Sequence, residues 1–183
     1  LVQTEDFVAA NDLLGPDYAY FSSTSSSWQE HATSYCEMAQ NRFSLDQDSL
    51  VIEIASNDGY LLKNFVASNI PCLGIEPTSD TADAAERLGI PVIRSFFGET
   101  LGRKLADEGK KADLLIGNNV FAHIPDVNGF TQGLRSLIKT QGVITLEFPH
   151  LMRLVEYRQF DTVYHEHFSY FSLMTVHRIF KKA

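Results

Sequence analysis

From Leu50 onward, short apolar runs alternate with amphipathic stretches, and this alternation constrains the fold more than any other feature. The runs at 50–55, 71–76, 91–96, 112–118 and 142–148 have the length and branched content of strands. The stretches at 59–68, 79–88, 99–108 and 127–139 carry apolar residues at helical spacing. Strands and helices in strict alternation with short connections predict an α/β sandwich. Its sheet is mostly parallel, is covered on both faces and has right-handed crossovers. Gly89, Gly109 and Gly142 follow the predicted helix ends, where a left-handed residue is favoured. Asp126 is placed to cap the helix that begins at Val127.

A lead-in over 1–49 precedes the alternation. Its first 24 residues read as irregular, with Phe7, Leu13, Leu14, Tyr18, Tyr20 and Phe21 as packing anchors. The serine-rich run 22–27 has linker composition, but Ser27 and Glu30 form a capping box. Trp28, Ala32, Tyr35, Ala39 and Phe43 then share one helical face, which predicts a helix over 28–43. Past the fifth strand, Pro149-His150-Leu151 opens a short helix to about Tyr157, and Ser172 caps a last helix carrying Leu173, Val176, Ile179 and Phe180. The pattern is cut at both ends, so the chain is expected to be one domain-sized piece of a longer protein.

A net charge of −8 without a basic run speaks against nucleic acid or an anionic membrane as partner. No apolar run approaches the roughly 20 residues of a membrane span. Cys36 and Cys72 show no metal spacing, and reduced thiols in the cytoplasm are the simpler expectation.

The first predicted strand runs into the turn Ala55-Ser56-Asn57-Asp58-Gly59. A strand, a tight turn and a helix at this position form the ligand crevice of an open α/β sheet. A pyrophosphate cradle needs several glycines, and Asp58 repels phosphate. An acidic turn, with Glu53 just before it, suits a ligand with a cationic end, as in S-adenosylmethionine (SAM). Glu76 ends the second strand, where a carboxylate pairs with ribose hydroxyls, and Pro77 follows it. Asn118 and Asn119 end the fourth strand at the same crevice, and His123 follows in its loop. Phe96 and Phe97, at the end of the third strand, either flank an adenine or serve as core. Tyr164-His165-Glu166-His167 is a dense acid–base group, equally open to a structural reading. His-x-His beside a carboxylate can ligate zinc, but no separate cluster completes such a site, so no metal is expected.

Together the segments 51–62, 74–77, 117–126, 147–151 and 160–173, with Tyr20-Phe21-Ser22-Ser23, Trp28 and His31 of the lead-in, resemble the SAM-dependent sugar C-methyltransferases. That family acts on nucleotide-linked 4-keto-deoxysugars. The resemblance implies a Rossmann-like class I methyltransferase fold, a three-layer sandwich lacking its last strands here. It implies a methionine end at Ala55, Ser56, Asn57, Asp58 and Gly59, ribose at Glu76, adenine near Phe96 and Phe97, and Asn118 near the cofactor. The resemblance also implies that Tyr164, Glu166, His167 and His123 line the sugar site, with His167 as the base. The family's Cys-x-x-Cys zinc module and C-terminal domain have no counterpart in these residues. An O- or N-methyltransferase on another small molecule, or a SAM-binding module without catalysis, remain the alternatives.

Overall fold

The computed structural model describes residues 1–4, 20–164 and 166–183. The expected anchors Phe7, Leu13, Leu14 and Tyr18, and His165 of the acid–base group, lie outside the described residues. In chain order the elements are β1 (Val2–Gln3), α1 (Ser26–Phe43), β2 (Val51–Ile54), α2 (Leu62–Ala67), β3 (Cys72–Ile75), α3 (Ser79–Arg87), β4 (Val92–Ile93) and α4 (Glu99–Asp107). They continue with β5 (Ala112–Asn118), α5 (Val127–Leu137), β6 (Ile138–Glu147), α6 (Leu151–Glu156), β7 (Ser169–Tyr170) and α7 (Leu173–Lys182).

β2 to β6 form one parallel sheet in the order β4-β3-β2-β5-β6. The chain builds outward from β2 to one edge, then returns to start again at β5. The sheet therefore reverses direction between β2 and β5, and their carboxyl ends open a crevice there. On one face α1, α2 and α3 bring Cys36, Leu61, Phe65 and Ala85 against Val51, Leu114 and Ile116. On the other, α4, α5 and α7 bring Leu105, Phe130, Leu134 and Val176 against Ile52, Ile54, Ile75 and Leu115. Residues of β2 face both layers and are fully buried, which is why its sequence is a continuous apolar run broken only by Glu53.

Several boundaries differ from the sequence expectation, each for a local reason. β4 covers only two residues of the expected 91–96. It pairs with β3 alone, and past Ile93 the chain bends, with Ser95 N–H donating to the Ile93 carbonyl at 3.0 Å. α5 stops at Leu137 because Ile138 is already extended and pairs with Ala112. Gly142 is accordingly inside β6 and not at a helix end, whereas Gly89 and Gly109 hold the expected left-handed conformation at φ 81° and 79°. α1 begins before the proposed capping box: Ser25, not Ser27, is the cap, accepting from Trp28 N–H at 3.3 Å. Asp126 and Ser172 cap their helices as expected.

The segment after β6 folds back onto the sheet's carboxyl edge. Phe171 stacks on Phe121, the residue group after β5, at 4.5 Å, and both meet Phe148. β7 pairs antiparallel with β1, Tyr170 opposite Val2. These contacts bring residues 160–164 and 166–171 beside the β5 loop and so beside the crevice.

Candidate functional site

The turn after β2 is held in an unusual conformation. Ala55 and Asn57 are left-handed, at φ 58° and 49°, and Gly59 follows at 79°. A left-handed non-glycine residue costs roughly 1–2 kcal/mol. The turn persists because other groups fix it. Ala55 N–H donates to the Ile75 carbonyl at 2.8 Å, and Asn57 N–H donates to Glu76 Oε2 at 2.9 Å. Glu76 Oε1 accepts from Thr78 N–H at 2.9 Å. Each Glu76 oxygen thus holds one backbone donor and keeps a lone pair for a further one.

Glu76 is almost buried, yet it lines a cavity of about 150 Å³ together with Ala55, Asn57, Pro77, Asn118, Asn119 and His123. Tyr20, Ser22 and Trp28 of the lead-in, with Tyr60, Thr78 and Val120, complete the wall. A second, more apolar cavity of about 230 Å³ shares Ala55, Pro77, Val120 and His123 with the first and continues past Phe96 and Phe97 to Phe130. The two form one elongated crevice along the carboxyl ends of β2, β3 and β5, polar at one end and aromatic at the other. Its walls carry the carboxylates of Glu76 and Asp126, amides and hydroxyls, but no lysine or arginine among the described residues.

A cluster of titratable side chains adjoins the crevice at His123. His167 is buried and its ring lies edge-on to His123, 4.7 Å between centroids. His167 Nδ1 is 2.8 Å from the Thr162 carbonyl oxygen, and Nε2 is 3.1 Å from the Tyr164 hydroxyl. A carbonyl only accepts, so Nδ1 carries the ring hydrogen and the basic nitrogen is Nε2, turned to Tyr164. Burial, reinforced by the neighbouring His167, pushes His123 down to about 4, against a backbone hydrogen bond to Glu166. His123 is therefore neutral near pH 7.

A methyltransferase domain family model matches residues 28–183. The chain belongs to that family. C-methyltransferase NovU of Streptomyces niveus is 33% identical over 170 residues, covering 93% of this chain and 40% of NovU. The chain therefore spans less than half the length of that curated relative. Among solved structures, a SAM-dependent methyltransferase from Archaeoglobus fulgidus shares the fold at a TM-score of 0.64 and 16% identity, over 84% of this chain and 67% of that one. The plantazolicin methyltransferase BpumL, solved with S-adenosylhomocysteine (SAH), matches at 0.60 and 13% over 81% and 60%.

This methyltransferase domain is of the SAM-dependent class, and the crevice fits that cofactor. Glu76 has acceptor capacity for a diol, a largely apolar slot lies beyond it, and among the described residues no lysine or arginine lines the crevice to select a phosphate. Of the residues expected from sequence, Ala55, Asn57, Glu76, Pro77, Phe96, Phe97, Asn118, Asn119 and His123 lie on the crevice wall. Glu53, Ser56, Asp58 and Gly59 stand behind it. Ser56 packs under Gly74, where any Cβ would come 2.5 Å from its Oγ, and Gly59 is pressed against Ala85 and Ile90. Asp58 turns to the lead-in instead, accepting from Ser23 N–H at 3.0 Å.

Glu53 is fully buried on β2, with both carboxyl oxygens unpaired among the described residues. Burial first, then Glu76 and Asp58, push it well above the carboxylate range, which favours its neutral form. His167, Tyr164 and Glu166 do not line the crevice: His167 touches His123, Tyr164 packs on His167, and Glu166 bonds His123 through its backbone. Sequence reasoning missed Tyr60, Thr78 and Val120 as wall residues. Tyr60 directly follows the turn, and that adjacency was the available signal. The pair His31 Nε2–Glu147 Oε2, at 2.9 Å, joins α1 to the end of β6 across 116 residues and has no local sequence signature.

Proposed function

We propose that this domain methylates a carbon atom of a nucleotide-linked 4-keto-deoxysugar through a base-generated enolate. The observation that supports this reading most is the chain Thr162 carbonyl–His167–Tyr164 hydroxyl beside the crevice. It is a buried base with one nitrogen fixed as donor and the other presented to a phenol. When bound, SAM supplies the electrophilic methyl group. The 33% identity to a C-methyltransferase supports carbon as the acceptor.

The chain's residues act as follows. A ketone acidifies the neighbouring C–H, and a base aligned with it removes the proton. The proton passes to His167 Nε2 through the Tyr164 hydroxyl, which gives up its own hydrogen as it takes the substrate's. The imidazolium keeps its Nδ1–H bond to Thr162, so the ring does not turn. The enolate oxygen needs fixed donors. Asn118 and Asn119 on the wall supply amide N–H groups for it. His123, tied to the Glu166 backbone and neutral, offers its remaining nitrogen as an acceptor for a substrate hydroxyl. Ala55, Glu76 and Pro77 hold the ribose and methionine portions of the cofactor, and Phe96 and Phe97 the adenine.

The test is solvent exchange. The intact protein is incubated with SAH and a nucleotide-linked 4-keto-6-deoxysugar in D₂O. The expected result is deuterium at the carbon beside the ketone. It is lost in His167→Asn, while SAH binding stays within about twofold. Normal exchange in that variant, or an O-methylated product when SAM replaces SAH, refutes the proposal.

A further inference from the structure

We infer that Asn57 and Asp58 act on the cofactor through the lead-in, as positioning residues that hold the segment from Tyr20 to Trp28 closed as a strap over the crevice. The inference rests on the methyltransferase reading of that crevice. Both residues belong to the turn that sequence reasoning assigned to direct ligand contact, yet their side-chain polar atoms are committed elsewhere. Asn57 Oδ1 accepts from Ser22 N–H at 2.9 Å, and its Nδ2 donates to the Tyr20 carbonyl at 3.0 Å. Asp58 Oδ2 accepts from Ser23 N–H at 3.0 Å while its Oδ1 accepts from Tyr60 N–H at 3.3 Å. Asp58 is buried and forms no part of the crevice wall.

The strap itself supplies wall residues: Tyr20, Ser22 and Trp28. Its two ends are anchored unequally. The α1 end is tied to the sheet's carboxyl edge by His31–Glu147 at 2.9 Å and by Tyr35–Thr145 at 2.6 Å. Trp28 is stacked between His31 and Tyr60, at 5.0 and 6.2 Å. The front end, residues 20–23, meets the turn through the three hydrogen bonds to Asn57 and Asp58. The space beneath is the smaller end of the crevice, about 150 Å³, and the strap's Tyr20, Ser22 and Trp28 form part of its wall. A ligand reaching Glu76 from this side lifts the front of the strap, and the same three bonds close it again over the bound molecule. An acidic turn is thus used for its acceptors toward backbone N–H groups and not for its charge toward the ligand.

Two variants separate the strap from direct contact. Ser22→Pro removes the N–H that donates to Asn57 and leaves the turn's side chains intact. Ser22 opens a single helical turn and Phe21 before it is extended at φ −108°, ψ 114°, which is the conformation a residue preceding proline prefers. Asp58→Ala removes the second acceptor. Trp28 is the chain's single tryptophan, so its fluorescence reports the strap alone. The wild-type chain and both variants are titrated with SAH by calorimetry. Acrylamide quenching of Trp28 is measured without ligand, and circular dichroism verifies the fold. The expected result is a rise in quenching for both variants and weaker SAH binding, about fivefold for Ser22→Pro and about tenfold for Asp58→Ala, as loss of a neutral and a charged hydrogen bond implies. Unchanged quenching and affinity in Ser22→Pro, with or without an effect in Asp58→Ala, overturns the strap. If the wild-type chain does not bind SAH while quenching rises in the variants, the cofactor reading has failed and not the clasp. The inferred role in cofactor binding then falls with it.

Discussion

Glu76 is expected to hold the turn together before any ligand arrives, and Glu76→Ala measures how much. Its two oxygens accept from Asn57 N–H and Thr78 N–H, each at 2.9 Å. Thr78 is buried and Asn57 is left-handed, so neither donor finds easy replacement. A hydrogen bond to a charged acceptor contributes about 1.5–3 kcal/mol. The deletion also frees the strained conformation at Asn57. Against this, it removes a carboxylate that crowds the buried acid Glu53. The balance is a loss of about 3 kcal/mol, a sizeable part of the roughly 5–15 kcal/mol of an ordinary domain. Urea unfolding reads it as a lower midpoint at constant slope. Glu76→Gln, which keeps one acceptor, loses about half as much, since one of the two bonds survives. A Glu76→Ala chain within about 0.5 kcal/mol of wild type would show that the turn holds its shape unaided and refute the reasoning.

Other consequences follow from single sites. Glu53→Gln leaves an amide as unpaired as the acid it replaces, but it removes the cost of holding a carboxyl protonated above its ordinary range and should stabilise the chain at pH 7. Because the folded pKa of Glu53 is raised, the stability it permits is complete below about 4.5 and lost as pH rises, so the variant's advantage in urea must grow with pH. His123 has the opposite sign: held at about 4 when folded against 6.5 when unfolded, it binds protons first in the unfolded chain. Stability should fall as pH drops from 6.5 to 4, by at most about 3 kcal/mol, and His123→Asn should flatten that limb of the unfolding profile. Gly102→Ala places a Cβ 2.5 Å from the Gly133 carbonyl oxygen where α4 crosses α5. It should cost about 1–3 kcal/mol and lower the calorimetric melting temperature by several degrees; an unchanged transition would mean the helices separate freely.

What the residues revealed about the fold follows from how local each signal is. β5 was readable to the residue because Asp113 is the single polar side chain in its otherwise apolar run, ended by Asn118. β4 was not, because an edge strand ends where pairing stops, and Phe96 and Phe97 look like strand residues although they line a crevice. The cap of α1 slipped by two residues among six consecutive hydroxyl residues, any of which can accept from the backbone. The glycine pair at 102 and 133 marks a helix crossing that no local pattern announces. In the crevice, Glu76 could be anticipated from its place at a strand's carboxyl end. The direction of Asp58 could not, since the turn leaves it free to face either ligand or lead-in until Ser23 is brought within 3.0 Å by the packing of α1. For the same reason His167 stood out only by its residue type, while its placement beside Tyr164 depends on a fold-back pinned by Phe121 and Phe171.

The most direct test of the central claim is calorimetric titration of the 183-residue chain with SAH, alongside Glu76→Gln, which keeps one backbone acceptor and so the folded turn. The account predicts saturable one-to-one binding that weakens by at least about tenfold in the variant, the loss of one charged hydrogen bond to the ribose. No binding by the folded chain, or equal binding by the variant, contradicts it.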